Sequence, residues 1–173
     1  MSSLTSPFES TYNKLNCMEE QREVDLSILT DLSALEDRFA KEEEYWKSSE
    51  SPIVASFTMF HSLRNCRMVL RKMALRFQSA KKVHQNPQIV YSARLVLPRI
   101  NDLYDMIEPL KGQELTANVT ELVKQRLRLL RDIAESTSML PSVSEEAMGV
   151  PRFELKRRFS ELATDLQAKI SEE

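Results

Sequence analysis

Few residues of this chain have side chains that could carry out catalysis or bind a metal ion. The chain has two histidines, His61 and His84, and two cysteines, Cys17 and Cys66. The histidines fall on one predicted helix about six turns apart, or about 34 Å, so within one chain they cannot share a metal ion or a proton. Neither cysteine has metal-ligand spacing or a nucleophile motif around it. Cys66 lies on the apolar side of its helix, which is typical of a buried structural thiol.

Carboxylates are numerous, but their arrangement does not indicate an acid–base pair. The run Glu42, Glu43 and Glu44 places its side chains in different directions on a helix, which favours a solvated surface. Only two glycines are present, Gly112 and Gly149, and no nucleotide-binding, nucleophile-elbow or zinc-protease motif occurs. The sequence therefore predicts a protein that is not an enzyme and that uses no cofactor or metal.

The most distinctive charge pattern lies between His61 and His84, where seven residues are basic and none is acidic. One interpretation is recognition of an acidic protein, an acidic polymer or an anionic membrane. The other is pairing within the chain, because residues 18–50 contain eleven acidic and four basic residues. Pairing is favoured, since surface charges on helices are common and individually weak. Nucleic acid is disfavoured because interleaved exposed aromatics are missing. This predicted basic face consists of Arg64, Arg67, Arg71, Lys72 and Arg76.

The composition predicts an all-α fold of about five helices, with 42% apolar residues and almost no glycine. Residues 1–7 are predicted to be a flexible leader. Helices over 8–47 and 51–84 are predicted to form a long antiparallel coiled-coil hairpin (residues 8–84), because a short Ser-Pro linker separates them. The upstream stretch 15–24 is poor in apolar residues and is interpreted as a solvated arm or a docking site. The first helix carries an apolar seam at the a/d spacing of a coiled coil: Ile28, Leu32, Leu35, Phe39 and Trp46.

A helical bundle is predicted over 86–140. Its first helix, about 88–110, contains Pro98, where a kink or a break is expected. Its second helix has two adjoining apolar rows and is therefore expected to contact more than one neighbour. A loop is predicted over 141–149. A C-terminal helix over 150–173 follows, with basic residues at its beginning and an apolar stripe: Leu155, Phe159, Leu162, Leu166 and Ile170.

A seam on such long helices predicts pairing with helices of other proteins, or with a second copy of the chain. The favoured function is a non-enzymatic subunit of a multi-protein assembly, such as a cytoskeletal-motor or kinetochore complex. The alternative is a stand-alone adaptor that binds an acidic ligand through the basic face. Without a signal peptide or a spanning apolar run, the protein is expected in the cytoplasm or nucleus.

Overall fold

The computed structural model describes residues 8–21, 25–49, 53–79 and 87–141. The predicted leader, the predicted loop beyond residue 141 and the predicted C-terminal helix lie outside these ranges. Within them the all-α prediction is confirmed, with no strand and with a 3₁₀ turn over Glu108–Leu110. The α-helices are α1 (Glu9–Gln21), α2 (Ile28–Ser48), α3 (Ile53–Ser79), α4 (Pro87–Ile107) and α5 (Ala117–Ser136).

The beginning of the chain forms two helices, so the prediction of one helix over 8–47 was wrong. Helix α2 begins after a turn that the Asp25 side chain stabilises. The Oδ1 atom of Asp25 accepts hydrogen bonds from the Ser27 amide (2.9 Å) and from the Ser27 hydroxyl (2.6 Å). A short side chain that bonds nearby backbone competes with helix continuation. In the stretch 15–24, the described side chains of Leu15 and Met18 are buried where α1 packs against α2 and α4, whereas Asn16 and Cys17 are exposed, so this part is not the solvated arm that was expected.

Helices α2 and α3 run antiparallel, as their ion pairs show. Glu43 pairs with Arg67, whereas the earlier residue Glu36 pairs with the later residue Arg71. Helix α3 contacts α2, α4 and α5, and α4 in turn contacts α1 and α5. The α2–α3 pair is thus covered by other helices and does not protrude from a separate bundle.

Helix α4 continues through Pro98, so of the two predicted alternatives the break is absent. The chain then turns through the 3₁₀ segment and Gly112, whose φ of +74° is the left-handed conformation predicted for this glycine. Thr116 caps α5, because its Oγ1 accepts a hydrogen bond from the Val119 amide (3.2 Å).

Buried apolar side chains from all five α-helices form one continuous core. The aromatic rings illustrate how distant segments meet there: Phe39 of α2 contacts Tyr104 of α4 (centroids 5.2 Å apart) and Phe8 beside α1 (6.3 Å). Aromatic pairs with this edge-to-face geometry stabilise a core beyond the area that they bury. In the described part of the chain, no helix has the length and apolar character needed to cross a bilayer.

Candidate interaction surfaces

The predicted seam lies inside the chain's own core. Each of its five side chains is at most 2% exposed. Helix α3 packs along α2, and the preceding helix α1 also contacts α2. The physical reason is that α1 and α4 help α3 to enclose an apolar stripe that α2 and α3 alone would leave open: α1 contacts α2, and Tyr104 of α4 packs on Phe39. In this conformation the seam presents no surface to a partner helix.

Two residues of the basic face are buried against α2. Arg67 donates hydrogen bonds to both carboxylate oxygens of Glu43, with Nη2 at 3.2 Å from Oε1. Arg64 Nη1 lies 3.7 Å from the same Oε1. All three side chains are buried, and buried charges of this kind need a hydrogen-bonded counter-charge to be tolerated. Arg64 and Arg67 therefore join α3 to α2.

The rest of the basic face also turns largely toward the chain. Arg71 Nη1 lies 3.8 Å from Glu36 Oε1, and burial raises the pKa of Glu36 against the opposing effect of the arginine charges. Arg76 Nη1 donates to the Thr137 carbonyl (2.7 Å), at the negative end of the α5 dipole. Lys72 is half-buried. This placement fits pairing within the chain and gives no support to an acidic external ligand.

Glu42 and Glu43 were predicted to be solvated, and this was wrong, because both are buried. Glu42 Oε1 accepts a hydrogen bond from Lys111 Nζ (2.6 Å), which also lies 3.2 Å from Glu108 Oε2. Burial, together with a hydrogen bond to Glu108, raises the pKa of Glu42. A signal was present in the sequence: positions 39, 42 and 46 have seam spacing, so Glu42 faces inward with Phe39 and Trp46.

The described histidine and cysteines do not form an activated site. The His61 ring stacks on Phe57 (centroids 6.0 Å apart), and its pKa is lowered by burial and by the nearby charges of Arg131 and Arg64. Cys66 is fully buried, and burial raises the pKa of its thiol, which keeps it protonated and unreactive. Within the described ranges, no three acidic, histidine or cysteine side chains are grouped so that they could hold a metal ion.

Helix α4 exposes apolar side chains on the side that points away from the core. Tyr91 is 66% exposed and Leu95 is 40% exposed. Pro98, which is half-buried, follows at the next position of the same face. The spacings of four and three residues are those of a helix-pairing row. We call Tyr91, Leu95 and Pro98 the outer row of α4.

Helix α5 exposes a second apolar row, at the flank of its buried face. Leu122 is 49% exposed and Leu129 is 39% exposed, while Val119 and Ile133 are half-buried. The sequence predicts two apolar rows on this helix. Most of the row of Val119, Val123, Leu127 and Leu130 is buried, whereas in the row of Leu122, Leu129 and Ile133 the two leucines are exposed and Ile133 packs against the core. Arg126 occupies the position between Leu122 and Leu129. We call Leu122, Arg126 and Leu129 the flank row of α5.

A comparison of the chain with protein-family models, with curated proteins and with solved structures found no match. The function is therefore inferred from the placement of the side chains. The residues predicted for partner binding, in the seam and on the basic face, lie mainly inside the fold. The surfaces that the structure leaves open to another molecule include the outer row of α4 and the flank row of α5.

Proposed function

We propose that this protein is a non-enzymatic subunit of an intracellular multi-protein assembly, of the kind found in cytoskeletal-motor or kinetochore complexes. It holds a partner by helix–helix packing, and the observation that carries this proposal is the outer row of α4. The partner is an α-helix that carries its own apolar row, because apolar residues spaced by four and three form the seam between two helices.

The composition of the outer row supports binding to a protein. Single exposed apolar residues are normal on a soluble protein, but Tyr91, Leu95 and Pro98 follow one another along one face. Tyrosine is enriched at the energetically dominant positions of protein interfaces because it buries a large area and keeps a polar tip. Around the row lie charged side chains, including the ion pair of Arg99 and Asp102 (3.6 Å). An apolar centre with a polar rim is the usual anatomy of an interface.

The class of function that we propose is the one expected from the sequence, but the proposed binding surface is different, because the α2 seam is enclosed in the core. The α2 seam and the basic face of α3 stabilise the body itself. A body with a continuous core can present α4 as a rigid binding element, which reduces the ordering cost of association. The described residues offer no comparable support for catalysis, since Cys66 is buried and His61 has no carboxylate among its main electrostatic neighbours.

The experiment is affinity purification of the tagged full-length chain from the cell that expresses it, with quantification of co-eluting proteins. The parent is expected to retain a partner in stoichiometric amounts, and the Tyr91→Glu, Leu95→Glu double variant is expected to lose it. Val54→Glu is the matched control, because Val54 is 59% exposed on another helix. Circular dichroism should show that the variants remain folded. Equal recovery of the partner by the double variant and the parent would refute the proposal.

A further inference from the structure

Helices α4 and α5 pack against each other and are joined by a short connection, residues 108–116. Contacting helices with so short a connection are antiparallel neighbours, so positions on both helices can be counted from the connection. Leu95 lies twelve residues before the end of α4 at Ile107, and Leu129 lies twelve residues after the beginning of α5 at Ala117. At 1.5 Å per residue, both leucines lie about 18 Å from the connection. The two helices therefore carry these exposed leucines at the same level.

The flank row of α5 lies on the side of the helix that borders α4. Helices α3 and α4 form the main contacts of α5 in the described part of the chain. The α5 residue nearest to α3 on one flank is Arg131, whose charge lowers the pKa of His61. Arg131 is two positions beyond Leu129, a rotation of about 200° around the helix. Leu129 and the rest of the flank row therefore point to the other flank, toward α4.

On α4, Leu95 and Arg99 lie on the side away from α1. Tyr104 of α4 contacts Phe8 beside α1, with ring centroids 6.3 Å apart. Leu95 lies nine positions before Tyr104, a rotation of about 180°, and Arg99 follows Leu95 by one turn. The groove between the helices therefore has these two residues on its α4 wall and the flank row on its α5 wall. We call it the α4–α5 groove.

We propose that the partner helix lies in the α4–α5 groove and carries an acidic residue beside its apolar row, where it pairs with Arg126. The partner is the helix already assigned to the outer row of α4, so the inference rests on that proposed function. It adds a second wall, made by α5, and it specifies the charge of the partner.

The area of a stable interface favours a site with two walls. Specific complexes bury about 800 Å² on each partner, which is the surface of about 20–30 residues. The outer row of α4 supplies only three side chains to that area. The groove adds Leu122 and Leu129, which are 49% and 39% exposed and lie two helical turns apart. That spacing is one heptad of a pairing helix, so one partner helix can contact both leucines while it packs on Leu95.

The charges of the groove favour an acidic partner. Arg126 is exposed between the two leucines of the flank row. Its nearest acidic neighbours along the chain, Glu121 and Asp132, are five and six positions away, whereas ion pairs on one helix form at spacings of three and four. Across the groove, Arg99 lies eight residues before the end of α4, and Arg126 lies nine residues after the beginning of α5. The two guanidinium groups thus lie at nearly the same level.

One carboxylate is available to these two arginines on the α4 wall. Asp102 Oδ2 lies 3.6 Å from Arg99 Nη1, at the i,i+3 spacing of one helix. The groove therefore keeps a net positive charge, which an aspartate or glutamate of the partner would neutralise. A lysine or arginine at the same place on the partner would be repelled, and complementary charges of this kind select one partner over another.

Two synthetic amphipathic peptides test the inference with the full-length chain. Each is about 21 residues long, or three heptads, with leucines spaced by four and three residues. One peptide has glutamate beside the leucine row, and the other has lysine at the same positions. Fluorescence anisotropy of the labelled peptides should show that the glutamate peptide binds at least about tenfold more tightly at low salt. The difference should shrink at about 0.5 M salt, because exposed charges are then screened.

Charge-reversal variants locate this preference on the molecule. Arg126→Glu is expected to reverse it, so that the lysine peptide binds more tightly. Lys124→Glu is the matched control, because Lys124 is also exposed on α5 but projects from the flank opposite the groove. This control should keep the preference of the parent. Equal binding of the two peptides to the parent, or an unchanged preference in Arg126→Glu, would overturn the inference.

Leucine-methyl NMR spectra show where the glutamate peptide lies. The methyl signals of Leu95, Leu122 and Leu129 are all expected to shift. A shift at Leu95 alone would place the partner on α4 only, which overturns the groove but leaves the proposed function standing. Shifts that appear without peptide as the protein concentration rises, together with a dimer in sedimentation, would assign the groove to a second copy and would also overturn the inference.

The two proposals can fail separately. If the cellular partner is lost from the Tyr91→Glu, Leu95→Glu variant but retained by Arg126→Glu and by Leu129→Glu, the inference is wrong and the proposed function stands. If all of these variants retain the partner, the proposed function is wrong as well. Loss of the partner from Arg126→Glu, with retention by Lys124→Glu, is the expected result.

Discussion

Replacing Glu43 by glutamine removes the carboxylate that faces both Arg64 and Arg67 in the interface between α2 and α3. The replacement keeps the side-chain volume and one hydrogen-bond acceptor, so it isolates the charge. In the variant two guanidinium groups share a buried site without the counter-charge that now lies 3.7 Å from Arg64 and is hydrogen-bonded to Arg67. We expect a large loss of stability, because a buried charge without its partner is strongly unfavourable.

The magnitude follows from the burial of all three side chains. Breaking a buried ion pair by removing one partner costs about 3–5 kcal/mol, and because an amide remains we expect Glu43→Gln to cost about 3 kcal/mol. With a urea dependence of about 2 kcal/mol per molar, the unfolding midpoint should fall by about 1.5 M. Removing Arg67 as well, as in Glu43→Leu with Arg67→Leu, should cost less than Glu43→Leu alone, because the desolvation penalty of Arg67 disappears with its charge and only Arg64 still loses the Glu43 carboxylate.

The assay is equilibrium urea unfolding followed by the fluorescence of Trp46, which is the sole tryptophan and is buried beside this interface on α2. Glu44→Gln is the matched control, since Glu44 is the exposed neighbour on the same helix and its loss should cost less than about 0.5 kcal/mol. If Glu43→Gln and Glu44→Gln unfold at the same urea concentration, the buried ion pair does not stabilise the α2–α3 interface.

Two further predictions concern His61 and the start of α5. Burial and the charges of Arg131 and Arg64 lower the pKa of His61 in the folded state, so the unfolded chain takes up the proton first as the pH falls through about 6.5. The urea midpoint should therefore fall more between about pH 7.5 and pH 5.5 in the parent than in His61→Gln, and identical falls would contradict this. Thr116→Ala should lower the free energy of unfolding by about 1 kcal/mol, because the cap to the Val119 amide is lost. Thr116→Ser keeps the cap and should lose little; an equal loss in both variants would exclude capping as the cause.

Local signals in the sequence located much of the fold correctly. Thr116 and the apolar rows after it placed α5 within a few residues of Ala117–Ser136, and Gly112 was correctly assigned a left-handed conformation. Pro98 was only a partial guide. Its missing backbone donor predicted either a kink or a break, and α4 continues through it without a break. Capping and turn residues act within one or two helical turns, so neighbouring residues can reveal them; the turn at Asp25 before α2 is the local signal that was missed.

Residues whose environment depends on distant segments were placed incorrectly. The stretch around Leu15 and Met18 has few apolar residues and was not expected to form a packing face. Both side chains are nevertheless buried where α1 packs against α2 and α4. Glu43 was predicted to be solvated because runs of acidic residues usually lie on the surface. Its partners in the structure are Arg64 and Arg67, which lie 21 and 24 positions further along the chain. The position of Glu42 within the seam spacing indicated that it is buried. That Lys111 is its partner could not be predicted, because it depends on how the turn after α4 is folded against α2.

The sequence by itself determined that this chain is helical and which side of α2, α3, α4 and α5 is apolar, because both follow from a repeat of about 3.6 residues within a single segment. The tertiary structure alone decided that the α2 seam is enclosed by the chain's own helices and that the outer row of α4 and the flank row of α5 stay open among the described residues. The physical reason is that periodicity specifies a face to be buried without specifying what buries it. That choice depends on contacts between residues far apart in the chain, where one helix excludes another from the same surface.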